Sequence, residues 1–275
     1  MMNIKNDKLQ LMDNRKIKSI PMLYMLLVFM SSCGGNSDTI SDFVPETPVR
    51  QDLRIYLAGD YSIFTGTVSV IINGEITRES PVEVIEEFLS GKRIYLDKII
   101  LTRITKTRFL ETGEEQITEQ SVWQETNGEM FELTNEYGNE YVIDNAFDRG
   151  LLNIPSLTLV NGTEHQQISF HTMYGGSVSG PVTEGEREIT LAPIENIEVG
   201  SNQYQAFPLI HKHTYKYLFT YVDNKSGSSV VIDRNLWVSL NKGLVRRVEV
   251  EREYSRFGVL QSETHWDLEL ESTNF

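Results

Sequence analysis

Short runs of alternating apolar and polar residues dominate the chain from Asp52 onward, and they constrain the fold more than any other feature. The runs are rich in Val, Ile, Thr, Tyr and Phe, and turn residues separate them. Because successive side chains point to opposite faces of a strand, each run predicts a strand with one buried face. The chain is therefore expected to be mainly β and antiparallel.

Asn-Gly pairs stand between several of these runs and predict tight hairpins. They occur at Asn73-Gly74, Asn127-Gly128 and Asn161-Gly162. Both residues of such a pair tolerate the positive φ that a type I′ turn requires. The first pair is expected to join Thr67–Ile72 to Glu75–Arg78, and the second to join Gln120–Thr126 to Glu129–Thr134.

The carboxyl-terminal part of the chain predicts a meander of long strands. Three apolar-polar runs follow one another at Leu236–Leu240, Leu244–Tyr254 and Val259–Glu271. Turn residues separate them at Asn241-Lys242-Gly243 and at Arg256-Phe257-Gly258. Consecutive strands with short turns are expected to pair antiparallel.

One segment carries the signals of a helix instead. Ser80 stands at the N-cap position, Pro81 follows at the first helical position, Glu83 completes a capping box, and Gly91 is placed to end the helix. These signals predict a helix over residues 80–90. The expected architecture is an antiparallel curved sheet or a partly closed barrel, covered by this single helix.

The amino-terminal residues have the three parts of a secretory signal peptide. A basic region contains Lys5, Lys8, Arg15, Lys16 and Lys18. An apolar run of 11 residues follows, from Ile20 to Met30, and small residues follow the run. A helix needs about 20 apolar residues to cross a bilayer core, so this run is too short for a permanent span.

The end of this segment resembles the lipobox of bacterial lipoproteins. Met30, Ser31 and Ser32 directly precede Cys33, the only cysteine of the chain. The resemblance implies cleavage before Cys33 and attachment of a diacylglycerol to its thiol. An ordinary small residue past a conventional cleavage site is the alternative role for Cys33. A lipid on Cys33 makes this residue a membrane anchor. The expected location is the bacterial cell envelope, at its outer membrane.

The predicted domain plan has three parts. Residues 1–32 are the signal peptide, residues 33–50 are the lipidated cysteine with a flexible tether, and residues 51–275 are the β domain. The tether is predicted from its Gly, Ser, Asp and Pro content, which leaves little apolar surface to bury. A division of the β domain near residues 150–180 is the alternative.

Charge and cysteine content limit the functions open to the mature chain. The full chain has a net charge of -14, and loss of residues 1–32 leaves 20 basic and 37 acidic residues, a net charge near -17. Such a chain repels phosphate backbones, so no nucleic-acid partner is expected. With Cys33 used as the anchor, no disulfide or thiol chemistry is expected in the β domain.

The segment from about residue 189 to 270 is similar to bacterial lipoproteins with a curved, lipoprotein-carrier-like sheet. The likeness rests on Trp237, Val238 and Gly243–Val245, with Glu198–Gly200 and Tyr204–Phe207 upstream. In that family the concave sheet face, closed by helices, holds acyl chains. The resemblance implies a lipid or another apolar ligand on a sheet face.

Residues 209–221 form the most lopsided predicted strand. Alternation places one set of side chains on a common face: Leu209, His211, His213, Tyr215, Tyr217, Phe219 and Tyr221. Aromatic rings with polar tips suit a surface that is apolar yet partly wet, as a ligand groove is. We therefore expect His211, His213, Tyr215, Tyr217, Phe219 and Tyr221 to line a cavity; a plain core face is the alternative.

Other chemistry-bearing residues have weaker patterns. His211 and His213 share a strand face, but two imidazoles alone do not make a zinc site, so no metal and no cofactor are expected. Glu132, Glu136 and Glu140 form an acidic cluster that we expect to be a solvated face. No Gly-x-Ser-x-Gly elbow or phosphate loop occurs.

These observations favour a non-catalytic, membrane-anchored envelope lipoprotein that binds an apolar ligand or lipid. A surface-exposed interaction module for protein or glycan is the second hypothesis, with an envelope protein as its partner. An enzyme is the third, because the sequence offers no nucleophile, acid-base or metal constellation.

Overall fold

The computed structural model describes residues 53–95, 98–135, 139–143, 150–155, 164–173, 181–218 and 226–275. The lipobox, the tether and the Asn161-Gly162 pair lie outside these ranges, so the predictions made for them stay predictions. The described residues all belong to one compact unit by their backbone contacts. In the described ranges, no helix reaches the length and apolarity needed to cross a membrane.

The described residues form fourteen strands and no helix. In chain order the strands are β1 (Tyr61–Ile72), β2 (Glu75–Tyr95), β3 (Lys98–Phe109), β4 (Glu115–Gln124), β5 (Met130–Glu132), β6 (Glu140–Ile143), β7 (Leu151–Ile154), β8 (Glu164–Met173), β9 (Pro181–Leu191), β10 (Glu195–Val199), β11 (Asn202–Tyr217), β12 (Ser229–Ser239), β13 (Gly243–Tyr254) and β14 (Leu260–Thr273). The predicted mainly β class is confirmed.

One antiparallel sheet contains all of these strands. Its order is β6-β8-β9-β11-β12-β13-β14-β1-β2-β3-β4-β5-β7, and β10 pairs with β11 outside this path. The two ends of the sheet approach each other, because the residues that follow β5 meet β6. Thr134 forms an isolated bridge with Glu140, and the Tyr141 amide donates to the Leu133 carbonyl over 2.8 Å. The sheet is therefore nearly closed into a barrel.

The helix predicted over residues 80–90 is wrong, because this segment is the middle of β2. Val82, Val84 and Phe88 are buried, whereas Pro81 and Leu89 are exposed, which is the two-residue period of a strand. The segment pairs with β1 on one side and, from Val82 onward, with β3 on the other. The capping signals are local, and pairing on both edges overrides them.

The first predicted hairpin is confirmed and the second has a different turn. Asn73 and Gly74 have φ values of 53° and 79°, as a type I′ turn requires, and Ile72 pairs with Glu75. In the second hairpin Gly128 alone has a positive φ, 88°, and the Glu125 amide donates to the Glu129 carbonyl. The loop is thus three residues with glycine in the left-handed position, and β4 ends earlier than predicted.

The carboxyl-terminal meander is confirmed. β12, β13 and β14 pair consecutively and antiparallel, with turns at the predicted positions. β14 then pairs with β1, which brings the last strand beside the first one and joins the two halves of the sheet.

Candidate functional site

The interior of the barrel is built in layers, and the same order repeats on several strands. On β3 the inward side chains are Leu101, then Arg103, then Thr105; on β12 they are Leu236, then Arg234, then Ile232. On β2 the order is the same, with Phe88, then Glu86, then Val84. We call the middle set the charged layer: Glu86, Arg103, Glu132, Arg187, Arg234, Arg247 and Glu249, with His211 and His213.

An apolar floor closes one side of the charged layer. It is one continuous cluster of buried side chains that includes Tyr56, Phe88, Leu101, Val122, Leu191, Leu209 and Leu236. Tyr56 stacks on Phe88 with ring centroids 4.2 Å apart. The floor separates the charged layer from the solvent at this end, because its side chains are packed as a core.

A cavity of about 570 Å³, partly open to solvent, lies along the charged layer. Its volume is within the range of small-molecule sites, about 300–1,000 Å³. The lining combines the charged layer, apart from His211 and Glu249, with apolar and hydroxyl-bearing side chains, among them Val84, Thr105, Thr107, Thr183, Tyr215, Tyr217, Ile232 and Trp266. This cavity is the candidate functional site.

Glu132 is the centre of the charged layer. Arg187 donates from Nη1 and Nη2 to Oε2 of Glu132, both over 3.1 Å, and Arg103 donates from Nη2 to Oε1 over 2.7 Å. Glu132 and Arg187 are both almost fully buried. Burial alone would raise the pKa of the Glu132 carboxyl, but Arg187, Arg103 and Arg234 hold it well below its usual range. The carboxylate is therefore ionised inside the barrel.

A second ion-pair group adjoins the first. Glu249 binds Arg234 and also accepts from Arg247, whose Nη2 lies 2.8 Å from its Oε2 atom. Burial opposes ionisation here too, yet Arg234 and Arg247 lower the pKa of Glu249 to about 2. Because the Coulomb interactions of Arg234 reach Glu132 as well as Glu249, the two groups form one electrostatic network.

The two histidines of β11 are neutral members of this network. Burial, followed by the charges of Arg187 and Arg234, lowers the pKa of both His211 and His213 well below the usual value. Nη2 of Arg187 lies 3.1 Å from Nδ1 of His213. Because a guanidinium only donates, Nδ1 is the acceptor and the proton of His213 is on Nε2.

The predicted alternation of inward and outward side chains along β11 is confirmed. Leu209, His211 and His213 are buried, whereas Ile210, Lys212 and Thr214 are exposed. His213, Tyr215 and Tyr217 line the cavity, and His211 lies deeper, beside the floor. Phe219 and Tyr221 lie outside the described residues, so their part in a cavity stays a prediction.

The expectation of a solvated acidic face is wrong for Glu132. Glu140 is exposed, as expected, and Glu136 lies outside the described ranges. Glu132 follows Met130 and Phe131 in β5, where all three side chains are buried. The two arginines from β3 and β9 compensate its burial, and no spacing along the chain links the three residues.

Sequence reasoning missed the arginines of the charged layer, although a signal for them existed. In β9, Arg187 alternates with Ile189 and Leu191, so an arginine stands on the apolar face of the strand. In β12, Arg234 alternates in the same way with Ile232 and Leu236. A charged residue on the apolar face of a strand indicates a buried ion pair or a ligand site.

His211 and His213 lie on the same face of β11, and within the described residues no group of three or more His, Cys, Asp or Glu side chains is placed to hold a metal ion.

Lowering the pH should destabilise the fold through the two histidines and the two glutamates of the ion-pair network. The unfolded histidines bind protons below about pH 6.5 and the folded ones only well below it, so stability is lost as the pH falls from 7 to 5. Each histidine contributes a slope approaching about 1.4 kcal/mol per pH unit. Glu132 and Glu249 add to the loss below about pH 4.5, because their folded pKa values are also lowered.

Urea unfolding at pH 7, 6 and 5 measures this effect. His211→Leu removes one titrating group without breaking a hydrogen bond between described residues, so its slope should be smaller than that of the natural chain. An unfolding midpoint that does not change between pH 7 and pH 5 would show that the histidines are not buried neutral.

Comparisons with known proteins give weak structural likenesses. No family model matches the chain, and no curated protein matches it. A crystal structure from Bacteroides fragilis, of a protein described as exported and as having a YmcC-like fold, is 10% identical, covers 83% of this chain and 100% of its own, and has a TM-score of 0.32. A protein from Parabacteroides distasonis described as a lipoprotein is 9% identical, covers 82% and 100%, and has a TM-score of 0.30. Likenesses at this level do not establish a shared function.

Proposed function

We propose that the chain is a non-catalytic envelope lipoprotein that is anchored through Cys33 and holds a ligand inside its barrel. The observation that carries the ligand part is the 570 Å³ cavity, because its walls bring rings and aliphatic side chains together with buried polar groups. The anchor part rests on the placement of Cys33 after Met30, Ser31 and Ser32.

The charge states of the charged layer favour binding over catalysis. A general acid or base works best when its pKa lies near the operating pH. The pKa values of Glu132 and Glu249 lie far below neutrality, and those of His211 and His213 are lowered well below 6.5. These groups keep one protonation state at neutral pH, which suits electrostatic recognition better than proton transfer.

The Cys33→Ser variant should abolish lipid attachment. Cells supplied with radiolabelled palmitate should label the natural chain, which should fractionate with membranes, and should leave Cys33→Ser unlabelled. Ser31→Ala keeps a small residue before the cleavage site and should label normally. Equal labelling of Cys33→Ser and the natural chain would disprove lipidation at this cysteine.

Organic extraction of the purified natural protein tests the ligand part. A bound molecule should be recovered in a fixed ratio to protein, and native mass spectrometry should show the matching mass shift. If no molecule is recovered and no added amphiphile raises the melting temperature, the cavity is not a ligand site.

The interaction module remains the second candidate because of exposed apolar side chains at one end of the barrel. Phe257 and Val259 lie in the turn that follows β13, Ile76 and Ile117 lie near the starts of β2 and β4, and Phe257 is 78% exposed. Exposed apolar side chains in one region favour contact with a partner surface. Phe257→Ser should weaken capture of such a partner without changing the cavity, whereas equal capture would contradict this role.

A further inference from the structure

We propose that the cavity binds an amphipathic organic anion, with a carboxylate or phosphate head against Arg103, Arg187 and His213 and an apolar body against Tyr215, Ile232 and Trp266. This inference rests on the proposed ligand-binding function and names the class of ligand.

The hydrogen-bonding groups of the charged layer are the first line of support. Nε of Arg103, Nε of Arg187 and Nε2 of His213 are buried and have no hydrogen-bond partner among the described residues. All three atoms are donors, because guanidinium nitrogens only donate and the Nε2 atom of His213 carries its proton. Among the described residues that line the cavity, Asn153 Oδ1 is the one acceptor that is also buried without a hydrogen-bond partner. Three donors against one acceptor favour a ligand head that accepts hydrogen bonds.

The charge balance gives the second line of support. Arg103, Arg187, Arg234 and Arg247 line the cavity, and the carboxylates that line it are Glu86 and Glu132. With Glu249, which binds Arg234 and Arg247, the described residues at the cavity comprise four cations and three anions. These described residues therefore carry a net positive charge, inside a chain whose net charge is -14. Since an uncompensated charge is costly away from water, an anionic head would be stabilised there.

The arginines are also held in place before any ligand arrives. Arg187 is fixed by Glu132, by the Leu152 carbonyl at 3.1 Å and by His213. Arg103 is fixed by Glu132 and by the Gln120 side chain. Glu132 accepts from both terminal nitrogens of Arg187 and from Nη2 of Arg103, and the Nε atom of each guanidinium group is left without a partner among the described residues. Donors that are already oriented lose little conformational freedom on binding.

The apolar part of the lining explains why the ligand should be amphipathic rather than a bare ion. Val84, Ile232, Leu244, Trp266 and Leu268 line the cavity together with Tyr215 and Tyr217. The phenol and indole rings supply large apolar areas with polar tips. An inorganic anion would leave this surface in contact with water, whereas an alkyl or aromatic body would cover it.

A series of probes with one tail and different heads tests the proposal on the natural protein. The protein is titrated with dodecanoate, dodecyl phosphate, dodecanol, dodecylamine and inorganic phosphate, with the amphiphiles below their micelle concentrations. Binding is measured by native mass spectrometry and calorimetry. At least one dodecyl anion should bind about tenfold or more tighter than dodecanol, dodecylamine and inorganic phosphate. The tighter of the two dodecyl anions identifies the head as a carboxylate or a phosphate.

Other outcomes separate the inference from the proposed function. Equal binding of dodecanol and the anions, or tighter binding of dodecylamine, overturns the anion inference and leaves a ligand cavity. Inorganic phosphate that binds as tightly as dodecyl phosphate overturns the amphipathic part. If none of the probes binds, both the inference and the proposed function fail.

A matched pair of variants locates the head. Arg187→Gln should lower the affinity for the preferred anion about tenfold or more and leave the affinity for dodecanol within about twofold. Arg246→Gln removes the same charge from the outer face, where Arg246 pairs with Asp267, and should leave both affinities unchanged. If Arg187→Gln does not fold, Arg103→Gln, which changes a less buried head contact, replaces it with the same expectation. Unchanged anion affinity in a folded variant of the charged layer overturns the placement of the head.

Discussion

Glu132→Gln should lower the free energy of unfolding by about 3 kcal/mol or more, which makes it one of the most damaging single changes in the chain. The amide keeps the shape of the side chain but removes the charge that compensates two buried guanidinium groups. Arg187 and Arg103 would then lie in the barrel without the carboxylate that both of them bind. Urea unfolding at pH 7 measures the loss.

Asp233→Asn is the matched control, since it also neutralises one carboxylate in an ion pair with an arginine. Asp233 pairs with Arg252 on the outer face, and its side chain is 48% exposed. Exposed pairs contribute about 1 kcal/mol or less, so this variant should remain close to the natural chain. Similar losses in both variants would mean that the Glu132 network is no more important than a surface pair.

Gly66→Val should destabilise the sheet by about 3 kcal/mol, although valine is the better strand former. Gly66 lies in the middle of β1, opposite Leu268 of β14. A Cβ atom at this position would lie 1.8 Å from the Asp267 carbonyl oxygen, which is backbone and has no free rotation to escape. The first and last parts of the sheet would have to separate to admit the side chain.

Thr67→Val is the control on the same strand, because Thr67 is exposed and its new methyl group meets solvent. It should change the unfolding midpoint little. A Gly66→Val protein as stable as the natural one would show that β1 and β14 do not approach as closely as described.

The period of the side chains predicted much of the fold, since it depends on residues two apart along the chain. Together with the Asn73-Gly74 pair and the other turn residues, it identified the antiparallel class, the first hairpin and the carboxyl-terminal meander. It could not show which local signal would prevail at residues 80–90. Ser80, Pro81 and Glu83 favour a helix start, but β1 and β3 pair with both edges of this segment, and neither partner is visible from the local sequence.

The candidate site was predictable only in part. Alternation placed His213, Tyr215 and Tyr217 on one inner face, which is a property of a single strand. The partners of Glu132 are 29 residues before it and 55 residues after it along the chain. Closure of the sheet brings these three residues together, so their contact depends on the topology and not on a motif.

Crystals soaked with ω-bromododecanoate test the central claim most directly, because the anomalous signal of bromine locates the tail and the difference density locates the carboxylate. We expect the bromine within the cavity near Ile232 and Trp266, with the carboxylate oxygens within hydrogen-bond distance of Arg103 Nε or Arg187 Nε. Bromine on the outer face of the sheet, or a carboxylate directed away from the charged layer, would contradict an anion site inside the barrel.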